Sequence, residues 1–224
     1  MRPFWIGAVL TLLVTACAHT SAPKPSVLPP SSAHMGAVNP ANIKRVVGKL
    51  PAGYEVTTGI PPGASPRLMW GLEAAHMRVE PPRCAALADP GAGRNHSAWG
   101  VSGSGAGGVV DSVVVALPGP VDLDQKLVAG CGRWTMTSGH TKAFVRLTDA
   151  PHIDAAQTLG MVADIKSSVE SRAEIDSRAY TFTAYLGGYY AFTTLTTDPG
   201  SAQPALPPRF AADLLVETVS TLRS

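Results

Sequence analysis

No apolar run in this chain is long enough to cross a membrane. The longest, residues 4–13, falls well short of the ~20 residues that a spanning helix needs. Excess charge is lacking as well. Arg2 and Lys24 are the only charged residues before Asn39, so the 18 basic and 16 acidic residues leave the remainder of the chain formally neutral. That argues against a nucleic-acid partner, whose grip depends on clustered Lys and Arg. Cysteine is sparse, with three residues at 17, 84 and 131. There is no Cys-x-x-Cys, and neither later cysteine has a histidine at ligand spacing, so the usual signatures of a redox pair or a zinc site are missing. No internal repeat is visible, and nothing in the sequence requires a metal or a cofactor.

The first residues carry an address. Arg2 precedes the apolar stretch Phe4-Trp5-Ile6, which runs on through Val9, Leu10 and Leu12 to Val14-Thr15-Ala16-Cys17. A cation, a short apolar segment and small residues make a secretory signal. Its last four residues have the form of a lipobox, so cleavage is expected before Cys17, with diacylglyceryl on the thiol. One acyl chain binds a membrane only marginally, at about 0.8 kcal/mol per buried methylene, whereas two or three hold firmly. Residues 1–17 are thus read as a lipoprotein signal. Residues 18–38, rich in Pro, Ser and Ala, cannot bury enough apolar surface to fold and are read as a disordered tether, on the order of 60 Å long if fully extended. Residues 39–224 suit one domain with a sizeable core. With Cys17 lipidated, Cys84 and Cys131 are left as a pair in an oxidising compartment, which reads as a structural disulfide.

Within the domain, Asn39-Pro40 resembles an N-cap with proline at the first helical position. Ile43, Val46, Val47 and Leu50 then repeat at helical spacing until Pro51. Residues 52–66 read as loop. A short helix is expected at 84–88 and another at 123–128. Strands are expected at 97–102 and 109–117 around a glycine-rich turn, and at 133–137 and 141–148 around Ser138-Gly139. Residues 159–169 fit period two and are read as a strand. The clearest hairpin joins 179–186 to 189–197 through Gly187-Gly188. After Pro207-Pro208 a helix should present Ala211, Leu214, Leu215, Thr218, Val219 and Leu222 on one side. These elements give an α+β class, an antiparallel sheet flanked by helices on both faces. One disulfide should tie an early helix to the middle of the sheet.

Signals for chemistry are weak. Gly103-Ser104-Gly105-Ala106-Gly107-Gly108 has the spacing of a dinucleotide loop, but strand-like Val109-Val110-Asp111 follows it where a phosphate-binding helix would be required. Gly100-Val101-Ser102-Gly103-Ser104 only approximates a nucleophile elbow. A hydrolase would need Ser102 or Ser104 within hydrogen-bond reach of a histidine such as His96 or His140. Asn95-His96-Ser97 is a glycosylation sequon in form alone. The chain is therefore expected not to be an enzyme.

Six of the fourteen aromatic residues lie between Tyr180 and Phe192. If Gly187-Gly188 is the turn, Tyr180, Phe182, Ala184, Leu186, Tyr189, Ala191 and Leu195 share one face. Tyr185, Tyr190 and Phe192 share the other with Thr181, Thr183 and Thr194. Both faces can be core. Alternatively, Tyr185, Tyr190 and Phe192 line a cleft for an apolar or sugar-bearing ligand, with phenols and threonines as polar handles.

Several segments carry a family resemblance. Asn39-Pro40-Ala41-Asn42-Ile43, Leu50-Pro51-Ala52-Gly53-Tyr54-Glu55-Val56, Pro82-Arg83-Cys84-Ala85-Ala86-Leu87, Trp134-Thr135-Met136-Thr137-Ser138-Gly139 and Thr181-Phe182-Thr183-Ala184-Tyr185-Leu186-Gly187 resemble mycobacterial lipoproteins of a domain-of-unknown-function family. The resemblance implies a cell-envelope address and a Cys84–Cys131 bond, and it brings no activity or site residues. More distantly the chain is similar to the extracellular sensor domain of a mycobacterial serine/threonine kinase, which implies a helix-flanked antiparallel sheet with a cleft. That domain typically has two disulfides, against the one available here. The expectation is a lipoprotein anchored through Cys17 on the outer face of the cell membrane, binding a lipid or glycolipid in a cleft. The alternatives are a protein-interaction or sensor module without a small ligand and, last, an envelope hydrolase.

Overall fold

The computed structural model describes residues 36–73, 76–168, 174–197 and 202–224, and its larger compact unit runs over 35–224. Cys17 and the rest of residues 1–35, read above as signal and tether, lie outside the described residues; of the remaining expected tether residues, 36–38, Val38 packs against the apolar cluster beneath α4. The strands are β1 (Glu55–Thr57), β2 (Arg78–Glu80), β3 (Ser97–Gly105), β4 (Gly108–Ala116), β5 (Arg133–Ser138), β6 (Thr141–Thr148), β7 (Gln157–Ser168), β8 (Glu174–Tyr185) and β9 (Tyr189–Thr196). They form one nine-stranded sheet in the order β1-β3-β4-β9-β8-β7-β6-β5-β2, with every neighbouring pair antiparallel. The expected α+β architecture with one disulfide is the one observed.

Helices cover one face over half of the sheet. Helix α4 (Pro208–Leu222) buries Ala211, Leu214, Leu215, Thr218, Val219 and Leu222, the stripe read from the sequence. They pack with Ile43, Val46, Val101, Val110, Val114, Phe182, Ala191 and Leu195 in a single apolar cluster. Two polar bonds cross this interface: the Thr193 hydroxyl donates to the Ala211 carbonyl at 2.7 Å, and the Ser112 and Thr218 hydroxyls meet at 2.8 Å. The first helix, η1 (Pro40–Lys49), is a 3-10 helix capped by Asn39, whose side chain accepts from the Ala41 amide. Three residues per turn align positions 43 and 46, so Ile43 and Val46 are buried. Val47, which a 3.6-residue period would have turned inward, stands 37% exposed.

The other face is covered mainly by irregular chain, where the sequence led us to expect a helix. The covering segment holds α1 (Pro66–Met69), a 3-10 turn (Pro82–Cys84) and α2 (Ala85–Ala88). Irregular backbone under burial needs specific partners, and it has them. The Trp70 indole N–H donates to the Thr181 hydroxyl at 3.0 Å, and Thr181 meets Thr194 at 2.9 Å. The largely buried Arg67 donates to Asp89 at 2.7 Å and to the Leu72 carbonyl at 3.0 Å. Cys84, at the end of the 3-10 turn, bonds Cys131, which follows α3 (Gln125–Gly130) and precedes β5. Because β5 is next to the edge strand β2, the disulfide ties the cover to one side of the sheet and not to its middle.

Three pieces of strand depart from expectation. β1, inside the stretch read as loop, and β2, in a stretch given no element, are three-residue edge strands too short to show a period. β8 begins at Glu174, five residues before Ala179, because Asp176 and Arg178 face solvent opposite Lys166 and Asp164. The glycine-rich stretch is the end of a β-hairpin in which Gly105 pairs with Gly108. A Cβ at Gly105 would sit 2.4 Å from the Tyr54 ring, so the missing side chain is what lets that ring lie on β3.

Candidate functional site

The aromatic hairpin forms with the predicted register, Tyr185 opposite Tyr190 and Thr183 opposite Phe192. Tyr190 and Phe192 stack, with ring centroids 6.2 Å apart, and both are fully buried. Tyr185 is 5% exposed and lines a cavity of ≈ 270 Å³ with Leu87, Arg94, Leu123, Asp124 and Leu127. The structure thus brings the three aromatics together in one layer but gives only Tyr185 access to open space. Burial raises both phenol pKa values above the ordinary one, so each hydroxyl is neutral and can serve as a polar handle. The Tyr190 hydroxyl, His96 Nε2 and Asp89 Oδ1 are buried with no hydrogen-bond partner among the described residues.

The serine and histidine candidates are not assembled. Ser102 and Ser104 sit on β3, six and eight positions beyond His96, which at about 3.3 Å per residue is far outside hydrogen-bond reach. His140 lies in the β5–β6 turn, five ladder steps from β3 at about 4.8 Å each. Ser102 instead supports Asp111, its partner across the ladder, whose carboxyl is held above its ordinary pKa chiefly by burial, partly offset by that hydrogen bond. Among the described residues no group of His, Cys, Asp and Glu side chains is placed to hold a metal, and no helix is long and apolar enough to cross a membrane.

A second region has no counterpart among the sequence candidates. Helix α4 and η1 cover β3, β4, β9 and the second half of β8, and leave the same face of β2, β5 and β6, with the outer parts of β7 and β8, open to solvent. The ladder register arranges the open side chains in rows. Arg133 lies opposite Arg146; Glu80, Thr135, Phe144, Asp164 and Arg178 follow in the next row; Arg78, Thr137, Lys142, Lys166 and Asp176 make up the third. Charge is balanced on β7 and β8, where Lys166 pairs with Glu174 and Asp176 and Arg178 pairs with Asp164. On β2, β5 and β6 it is not. Arg78, Arg133, Lys142 and Arg146 have no ion-pair partner among the described residues, and Glu80 is the single acid beside them. Phe144 is 42% exposed, with the Lys142 ammonium 4.6 Å from its ring centroid. Glu80, Arg133, Phe144, Arg146 and Asp164 line a shallow cavity of ≈ 550 Å³. Alternating positions such as Lys142, Phe144 and Arg146 were visible in the sequence as a half-polar strand face. Which face stays open depends on where α4 packs, and no local pattern encodes that.

Comparison with solved structures finds the same architecture in an uncharacterized protein from Mycobacterium smegmatis, an Rv0999 ortholog. It is 20% identical, with a TM-score of 0.62, and the match covers 84% of this chain and 98% of that one. The extracellular domain of PknH from Mycobacterium tuberculosis also matches, with a TM-score of 0.43 and 15% identity over 82% of this chain and 92% of that one. Among curated protein sequences there is no match. Residues 39–223 match the domain of unknown function DUF5642, so nearly the whole described unit is accounted for, and this chain belongs to that family.

Proposed function

We propose that the protein is an envelope lipoprotein, anchored through Cys17 and reaching outward on residues 18–35, whose domain is a binding module that works through the open half of its sheet. The carrying observation is the one-sided cover: β9, most of β4 and the second half of β8 are buried on both faces, whereas β5 and β6 present Arg133, Lys142, Phe144 and Arg146 to solvent. A polar rim around an exposed aromatic, with uncompensated charge of one sign, suits a partner of opposite charge. A photocrosslinking residue at Phe144, introduced in cells, should give a defined adduct. The same residue at Val216, exposed on α4, should give none. Equal or absent crosslinking at both positions would remove the reading.

The Tyr185 cavity supports a second reading, a small apolar or glycolipid ligand with one phenol as its polar contact. Tyr190 and Phe192 would then act by shaping the floor beneath it. Native mass spectrometry of residues 36–224, purified without detergent, should reveal a retained mass that Tyr185→Ala loses. A clean apo mass after incubation with envelope lipids rejects this ligand.

A further inference from the structure

Like charges placed directly opposite each other in an antiparallel pair destabilise it, and this sheet does so twice on its open face. Lys142 faces Lys166 across β6 and β7, and Arg133 faces Arg146 across β5 and β6. The first pair is compensated. Lys166 contacts Glu174 and Asp176, and Lys142 rests over Phe144. The second pair is exposed and has no acidic partner among the described residues. Resting on the reading of the open half-sheet as a binding face, we infer that Arg133 and Arg146 form a clamp for the phosphoryl group of an anionic membrane-lipid headgroup.

Three observations favour that occupant. Cross-strand partners hold their Cβ atoms about 5 Å apart, and Arg133 and Arg146 line one cavity, so two planar guanidinium forks can reach one tetrahedral anion and offer it bidentate, charge-assisted hydrogen bonds. Phe144, in the neighbouring row of the same strand, adds an exposed ring that can enter the headgroup layer beside the anion. Some twenty residues separate Cys17 from the domain, so the proposed lipid anchor there would keep the domain at high effective concentration near a phospholipid surface. The carboxylates nearby do not cancel the clamp. Asp164 is held by Arg178, and Glu80 is a single charge against Arg78, Arg133, Lys142 and Arg146.

The test uses residues 36–224 without the anchor, a unit close to the one that the M. smegmatis relative crystallised as, since 98% of that chain is matched. The probe is cosedimentation with phosphatidylcholine vesicles, with and without phosphatidylinositol. The domain should sediment only with the anionic vesicles, and salt should release it. At about 1 kcal/mol per basic residue near such a surface, the double variant Arg133→Gln/Arg146→Gln should bind about 30-fold more weakly. Lys49→Gln, on η1 and paired with Glu217, should bind as the parent does. Melting by circular dichroism confirms that each variant is folded. Equal binding to both vesicle types, or undiminished binding by the double variant, would overturn the clamp. Failure to sediment while inorganic phosphate shifts the Arg133 and Arg146 side-chain resonances would assign the site to a soluble phosphate and overturn the membrane source. If neither probe binds and Phe144 still crosslinks in cells, the inference falls and the binding face stands. Loss of the crosslink removes both.

Discussion

At the scale of single residues the domain places unusual groups with supporting partners. Asp111 sits on β4 under the irregular cover, 6% exposed, with the Ser102 hydroxyl as its supporting donor. Burial raises its pKa in the folded state. The folded protein therefore keeps a proton that the unfolded chain has already lost, and stability declines as pH rises from the unfolded value near 3.8 toward the folded one. Above that window the cost of an ionised buried carboxylate is fully present. Asp111→Asn should raise Tm at pH 7, and the gain should shrink when melting is repeated below pH 4. An unchanged or lowered Tm at pH 7 would mean that the carboxylate is stabilised by a partner other than Ser102. The contrast with Asp89 is instructive. That acid is also buried but sits against Arg67, so its charge is matched on site.

At the scale of elements, the sheet is held by two different devices. On one face a regular helix lays an apolar stripe on β4, β8 and β9, the ordinary solution for a sheet that must lose one face to water. On the other, a chain with only short helical turns is fastened by one indole, one ion pair and one disulfide. The disulfide matters more there, because a loose cover has little cooperative secondary structure of its own. Cys84 and Cys131 are 47 residues apart, which in the chain-entropy account is worth about 4 kcal/mol. Reduction should therefore lower the midpoint of urea unfolding substantially. Hydrogen exchange should accelerate first in residues 58–92, with α4 protected longest. Uniform acceleration across both faces would show that the cover does not open separately.

At the scale of the whole molecule, a formally neutral domain has segregated its charge. Among the described residues, opposite signs are paired on β7 and β8, and cations without an ion-pair partner gather on β2, β5 and β6. The proposed anchor would make that asymmetry consequential, since it would hold the domain near a membrane surface. Cys17→Ala should move the protein from the membrane fraction to the soluble envelope or medium, read by fractionation and immunoblot. Retention in the membrane after this change would mean that something other than acyl chains holds it.

Much of the fold was readable because its signals are local. The α4 stripe, the register of the β8–β9 hairpin and the pairing of Cys84 with Cys131 all follow from spacing, turn chemistry or elimination. Edge strands β1 and β2 were missed because three residues carry no period. The 3-10 geometry of η1 was missed because Ile43, Val46 and Val47 satisfy a 3.6-residue reading equally well until packing selects Ile43 and Val46. The aromatic cluster was legible as a cluster, but its access was not. Whether Tyr185, Tyr190 and Phe192 meet a ligand or a cover depends on residues 58–92, far away in sequence, folding over them. The same holds for the open face. The alternation in β6 specified one apolar and one polar side, while the absence of a helix above the polar side among the described residues came from where α4 and η1 dock. The sequence by itself determined the α+β class, the hairpins and the disulfide, because these depend on near neighbours and composition. Only the tertiary structure decided which aromatics are core and which cations stand unpaired, because burial and ion pairing are set by segments that meet only when the chain has folded.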